Sequence, residues 1–248
     1  MSGPYRLLPG SAGDLWSYTS SAPHGAPLRG HVVLCHDLPR DEGVASDVAQ
    51  TYPSLADRLT RETGWRVVTG TLRGAGDSSG DFSAQGWLDD LGLLAETEVP
   101  RGSPRWLVGF GFGGVLALHL AANDERVAGV ACLGTPARLD AMLSDPSALI
   151  DRCVRTGVIG TAGYPADPDV WAKELLALHP TDDAAQLKGR PLLVVQGAAD
   201  PVLLDDARTL AEAATGPSDL RVVYGAGHWL RADPRVVAIL IGWLERRR

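Results

Sequence analysis

The residues able to do chemistry in this chain fall directly behind short apolar runs. His36 and Asp37 follow His31-Val32-Val33-Leu34-Cys35, Asp200 follows Pro191–Gln196, and His228 follows Leu220–Tyr224. Asp77 and Ser78 lie in the turn-rich segment Arg73–Gly80, which comes after the run Trp65–Thr69. An imidazole can take a proton from water, a hydroxyl or an acidic C–H near neutral pH. A carboxylate at its other ring nitrogen fixes the tautomer and stabilises the imidazolium. Asp200 and His228 have the types for such a pair. No attacking atom accompanies them. Between Trp106-Leu107-Val108 and the helical pattern Val115–Leu120 stands GFGFGG, Gly109–Gly114, a strand–sharp turn–helix pattern made of glycine and phenylalanine alone. Glycine offers nothing that could attack a carbonyl.

The elements that must hold these residues alternate along the chain. Short strands are expected at 5–8 and 13–20, followed by a loop from Ser21 to Leu28, and buried strands at 31–35, 65–69, 105–109, 127–133, 191–196 and 220–224. Helices are expected at 53–63, 84–97, from the turn to about 122, at 204–214 and at 234–247. Strands that are apolar throughout and alternate with helices imply a mostly parallel central sheet covered on both faces. In such sheets ligands sit outside the carboxyl ends of the strands. The stretches at 36–39, 73–80, 109–114, 200 and 228 all lie there. Residues 137–188 break the rhythm with short helices and the Asp145-Pro146, Tyr164-Pro165 and Asp167-Pro168 steps. The expectation is a single domain, 1–248, with a small helical cap inserted at about 137–188.

The order of these features resembles the α/β-hydrolase family, and the resemblance spans nearly the whole chain. The frame Gly109-Phe110-Gly111-Phe112-Gly113 is similar to the family's nucleophile elbow, G-x-S-x-G, with Gly111 where serine would stand. Asp200 in GAADPV looks like the family's acid and His228 in GAGHW like its base, in the family's order. His36-Asp37 takes the place of the usual His-Gly in the oxyanion loop, and Arg73–Ser78 looks like R-G-x-G-x-S. The resemblance, to serine-hydrolase and serine-aminopeptidase-like members, implies a His228–Asp200 dyad. It also implies oxyanion-hole amides at Phe112 and Leu38, and pocket positions at His36, Asp37, Phe110, Asp77 and Trp229. Removing the serine of a serine protease lowers turnover about a million-fold, so a Gly111 protein is not expected to be an efficient acyl-enzyme hydrolase.

Substitutes for the serine are few. Ser78 and Ser79 lie in a loop that flanks the site in the resembled family without supplying the nucleophile. Cys35 and Cys132 precede strand ends and are expected to face the core. For Asp37 two readings stay open. It turns outward or caps local backbone, or it binds a polar or cationic group or orients a water. A carboxylate there would repel a developing oxyanion. His119 is expected to be a packed or partly exposed helix residue, and His24, His31 and His179 carry no pattern. GFGFGG resembles a dinucleotide fingerprint only superficially, since it comes after several βα units. No cofactor or metal motif is present in the sequence.

Composition bounds the partners. The chain has 248 residues, 45% of them hydrophobic, and a net charge of −7. That length fits one domain of the larger α/β kind. The acidic balance argues against nucleic acid or an anionic membrane as partner. The basic tail Arg246–Arg248 is read as completing a final helix at the negative end of its dipole. The odd count of three cysteines, without metal spacing, fits a reducing cytoplasm, and neither a signal peptide nor a membrane-spanning run is evident. A small-molecule ligand or substrate is expected. Three functions follow: non-covalent general-base chemistry by His228 and Asp200; a catalytically inactive homologue that binds a ligand or protein; or an ordinary ester or peptide hydrolase silenced at Gly111.

Overall fold

The computed structural model describes residues 4–21, 28–39, 44–200 and 204–247, with the side chains of 44–47 excepted. Residues 22–27 of the Ser21–Leu28 loop, with His24, lie outside the described residues, as do Pro201 and Val202 of the GAADPV motif and the terminal Arg248.

Eight strands form one open sheet in the order β1-β2-β4-β3-β5-β6-β7-β8. β1 (Tyr5–Gly10) and β2 (Gly13–Thr19) form a hairpin, and β2 runs antiparallel to β4 (Arg66–Gly70). From β4 onward, β3 (His31–Cys35), β5 (Arg105–Phe110), β6 (Val127–Leu133), β7 (Leu192–Gly197) and β8 (Ser218–Val223) are all parallel. Strand order reverses beside β3. The chain moves outward from β3 to β4, then returns across β3 to β5. That reversal opens a crevice beyond the ends of β3 and β5, whose last paired residues include Cys35 and Gly109.

The central strands are apolar on both faces because both faces are covered. Along β3, Val32 and Leu34 join the core under α1 (Val44–Thr63) and α8 (Pro234–Glu245), while Val33 and Cys35 join the core on the opposite face. That second core is closed by α2 (Ala84–Glu98), α3 (Phe112–Asn123) and α7 (Leu204–Ala213). Between β6 and β7 the chain forms α4 (Pro146–Thr156), α5 (Pro168–Leu176) and α6 (Pro180–Ala185). α4 and α5 start with Asp N-caps followed by proline, the two sequence signals that begin a helix most directly. Trp171 of α5 anchors this segment, its indole N–H donating to the Phe82 carbonyl at 3.0 Å.

Most element ends fall within about two residues of the sequence expectation, and two features depart from it further. α1 starts at Val44 rather than near residue 53. Pro53 reads as a helix start, yet it lies inside the helix, because buried Val48 and Tyr52 extend the apolar stripe of Leu55, Ala56 and Leu59 backwards. β8 is not apolar throughout. It is the edge of the sheet, and most of its residues are partly or fully exposed. Among the described residues, no helix is long and apolar enough to cross a membrane.

Candidate active site

The glycines of Gly109–Gly114 let a strand, a turn and a helix meet at backbone distance. A Cβ on Gly109 would overlap the backbone of Gly113 and Gly114, and a Cβ on Gly113 would overlap the carbonyls of Cys35 and His36 at the end of β3. The turn is pinned by Gly111 N–H donating to the Leu133 carbonyl at 2.8 Å. Gly111 itself has φ 51° and ψ −121°, a conformation that side chains resist and glycine accepts. The next residue, Phe112, opens α3, so its N–H is one of the orphan donors at a helix start and points outward.

That donor has a partner. Phe112 N–H donates to Asp37 Oδ1 at 2.7 Å, and Leu38 N–H donates to the same oxygen at 2.8 Å. The two amides expected to form an oxyanion hole therefore both hold one carboxylate oxygen of Asp37. The carboxylate also fills the space beside Gly111, since a Cβ built there would overlap Oδ1, Cγ and Oδ2 of Asp37. Of the two readings of Asp37, backbone capping and contact with a polar or cationic group, the structure contains both.

His228 completes the group. Its Nδ1 lies 2.9 Å from Asp200 Oδ2 and its Nε2 lies 2.9 Å from Asp37 Oδ2. The loops after β7 and β8 bring Asp200 and His228 together through backbone bonds: Ala198 N–H to the Val223 carbonyl at 3.0 Å and Ala199 N–H to the Ala226 carbonyl at 2.9 Å. The result is a hydrogen-bonded row Asp200–His228–Asp37 that ends on two backbone amides. All three side chains are mostly buried but reach solvent, at 16, 18 and 21% exposure in that order. With carboxylate oxygens at both ring nitrogens, the row needs two protons among its members to satisfy both contacts.

Asp37 is shared by two hollows. One is lined by Leu38, Tyr52, Phe110, Gly111, Trp229 and Arg231, among others. The other lies on the α4 side and is lined by Phe112, Pro136, Arg138, Leu139, Met142 and Arg152, with Asp200 and Asp206. Trp229 is 46% exposed, and the Arg231 guanidinium stacks over its ring at 4.7 Å. Arg152 Nε is buried and has no hydrogen-bond partner among the described residues. Burial raises the Asp206 carboxyl above its usual range.

The other candidates fall elsewhere. His36 is fully buried and does not line either hollow around Asp37. It accepts at Nε2 from Leu72 N–H, at 3.0 Å, and so donates from Nδ1 to the Asp37 carbonyl, at 2.9 Å. Burial pushes its pKa down to about 4. Asp77 lies with Tyr5, Trp16 and Gly76 in a surface hollow apart from His228; its loop turns away from the site. Ser78 is tied to Thr71 and to Trp16 N–H, and Arg73 grips Asp90 through two hydrogen bonds, at 2.6 and 3.0 Å. The Arg73–Ser78 segment is thus a packed brace. Cys35, Cys132 and Cys153 are buried free thiols whose pKa values are raised by desolvation. His119 meets Asp183 at 3.1 Å, on the far side of α3's start. Among the lining residues that sequence reasoning missed are Tyr52 and Arg231 of one hollow and Arg138 and Arg152 of the other, the last two on the α4 side. Those two sit in the segment whose short helices carry no motif. Among the described residues no cluster of His, Cys, Asp and Glu is arranged to hold a metal ion.

Solved structures similar to this one share its whole course. A serine hydrolase homologue from Coxiella burnetii is 20% identical at TM-score 0.63, with 99% of this chain and 97% of the other covered. The proline iminopeptidase of Mycobacterium smegmatis is 16% identical at TM-score 0.68, with 98% of each chain covered. Alpha/beta hydrolase domain-containing protein 10 from mouse is 16% identical at TM-score 0.69, over 98% of this chain and 97% of that one. No family profile matches the sequence, and no curated protein matches it either. The chain has the α/β-hydrolase fold; at these identities the likeness carries the fold and not a reaction.

Proposed function

We propose that this protein is a hydrolase-type enzyme acting on a small molecule, with His228 as its proton-transfer group and Asp200 as its orienting partner, and that it works without a serine acyl-enzyme. The observation that supports this reading most is the row Asp200–His228–Asp37 ending on the amides of Phe112 and Leu38. It places a base in a crevice whose two backbone amides now hold Asp37 Oδ1 and become donors to developing negative charge only when that carboxylate is displaced. Gly111 supplies no attacking atom. The attack must come from water activated by His228 or from another group in the same row.

The test is a kinetic comparison of wild type and His228→Ala against a panel of short esters and lactones. Turnover in wild type that falls at least about a hundredfold in the variant is the expected result, in line with general-base catalysis. Equal turnover in the two proteins would overturn the assignment.

A second reading has its own support. Asp37 takes both amides and the imidazole, so these three donors are satisfied by the chain itself. On that reading the protein is an inactive homologue that binds a ligand beneath α4, and a ligand from the same panel raises Tm without being converted. The third reading, a serine hydrolase silenced only at Gly111, fits least, because Asp37 stands where a serine side chain would go.

A further inference from the structure

Asp77 plays no part at His228, yet its loop is tied tightly to β2. Trp16 N–H donates to Ser78 Oγ at 2.9 Å, and Ser79 N–H donates to the Asp14 carbonyl at 2.9 Å. Asp77 itself is exposed, and among the described residues no hydrogen bond or ion pair engages its carboxylate. The hollow it lines is otherwise uncharged: Tyr5 and Trp16 from the hairpin, Ala49 and Gln50 from α1, and Gly76.

The hairpin register sets the aromatic wall. Tyr5 lies opposite Tyr18 and Leu7 opposite Trp16, so these side chains share one face of the sheet. The Tyr5 and Trp16 rings have centroids 5.0 Å apart, and Tyr5 and Tyr18 are 4.8 Å apart. Tyr18 is buried, and its hydroxyl donates to Asp57 Oδ1 at 2.6 Å, which sets a second carboxylate beside the cluster. Cross-strand packing accounts for the buried ring. It does not account for Tyr5, which is 53% exposed at the rim of a hollow whose one charged group is a carboxylate.

We propose that this hollow binds a small organic cation of the quaternary ammonium class, seated against the rings of Tyr5 and Trp16 with its charge facing Asp77. The class follows from the walls. Aromatic faces attract positive charge, and a carboxylate does so more strongly. A primary ammonium brings three N–H donors, and the hollow offers a single carboxylate to receive them. A quaternary ammonium has no N–H to satisfy, and its methyl groups pack on rings as an apolar body does. The volume of the hollow, about 440 Å³, falls in the range of small-molecule sites. The net charge of −7 favours the approach of a cation. The hollow shares no lining residue with the two around Asp37, and the proposal does not depend on proton transfer at His228.

The test titrates the full chain with choline, followed by saturation-transfer NMR on the N-methyl signal. The control is 3,3-dimethylbutan-1-ol, the same shape with carbon in place of the charged nitrogen. Saturable binding, roughly millimolar, is expected for choline, with the neutral alcohol weaker by about tenfold. Asp77→Asn removes the charge, and Tyr5→Leu removes a ring while keeping apolar bulk on the hairpin. Each should weaken choline by about two- to fivefold. His228→Ala should bind choline as wild type does. Equal affinity for choline and the neutral alcohol would overturn the proposal, as would unchanged affinity in either hollow variant or no saturable binding at all. Loss of binding in His228→Ala would move the ligand to the crevice and overturn it as well.

Discussion

Two histidines lie on either side of one residue, and their partners differ. His36 is fully buried, and both ring nitrogens bond to backbone: Leu72 N–H and the Asp37 carbonyl. His228 is partly exposed, and both ring nitrogens face carboxylates: Asp200 and the side chain of the same Asp37. Backbone groups cannot exchange protons at ordinary pH, so they fix one neutral tautomer of His36. The carboxylates around His228 are ionisable side chains at the edge of solvent. Asp37 serves one histidine with its main chain and the other with its side chain. The first histidine holds the loop after β3 in place; the second faces the crevice which that loop helps to line.

The sharpest way to break this contrast is to rebuild the site around a serine. Gly111→Ser alone should remain silent toward short acyl esters, because the new Cβ overlaps the Asp37 carboxylate. Gly111→Ser combined with Asp37→Gly removes the overlap and frees the amides of Phe112 and Leu38. Ester hydrolysis should then appear, with a gain that can approach the about million-fold cost of losing such a serine. Backbone strain at φ 51° works against the new side chain by roughly 1–3 kcal/mol, so the double variant should also melt earlier. Activity in the single variant would mean that Asp37 moves aside readily, and that its contacts with His228 and the amides are weak.

The buried histidine gives the next largest effect. His36 has its pKa lowered from 6.5 to about 4 by burial. In the unfolded chain it takes a proton as pH falls through 6.5, whereas in the folded protein it does not until about 4. The unfolded state binds more protons across that window, so stability is full above 6.5 and falls as pH drops towards 4, by about 3 kcal/mol from this group. Chemical denaturation of wild type and His36→Asn across that range should show a shallower pH dependence in the variant. Parallel curves would mean that another group carries the acid sensitivity; His31, also lowered by desolvation, is the one to test next.

Much of this arrangement was legible in the sequence. The strand bounds of β3 and β6, the order of helices and strands, and the places of Gly111, Asp200 and His228 behind strand ends follow from apolar periodicity and turn residues. What periodicity cannot give is where a loop side chain points. His36 and Asp37 are adjacent in the same loop, yet one turns into the core and the other into the crevice. Asp77 has the right position in sequence, but its loop curls under Ser78's bonds to Thr71 and Trp16 and carries it off towards β1 and β2. That Gly111 offers no attacking atom was evident from one residue. That a carboxylate from another strand fills the gap depends on the closeness of β3 to β5, which only the sheet order sets.

The smallest effect separates the two roles of Asp37 most cleanly. Asp37→Asn keeps the backbone carbonyl that accepts from His36 and keeps an oxygen for Phe112 and Leu38 N–H. It replaces the second oxygen by an amide that can donate to a neutral His228 Nε2. Hydrogen-bond number is conserved and only the charge is lost, so stability at pH 7 should change by no more than about 1 kcal/mol. The ring signals of His36 should stay in place in a proton–nitrogen NMR spectrum, because its tautomer depends on main-chain partners. Those of His228 should move, because the group facing its Nε2 changes from a carboxylate to an amide. If both histidines shift together, the carboxylate holds the whole loop in position and the division between main-chain and side-chain roles does not exist. If only His228 shifts, the charge of Asp37 acts on the crevice and not on the loop that carries it.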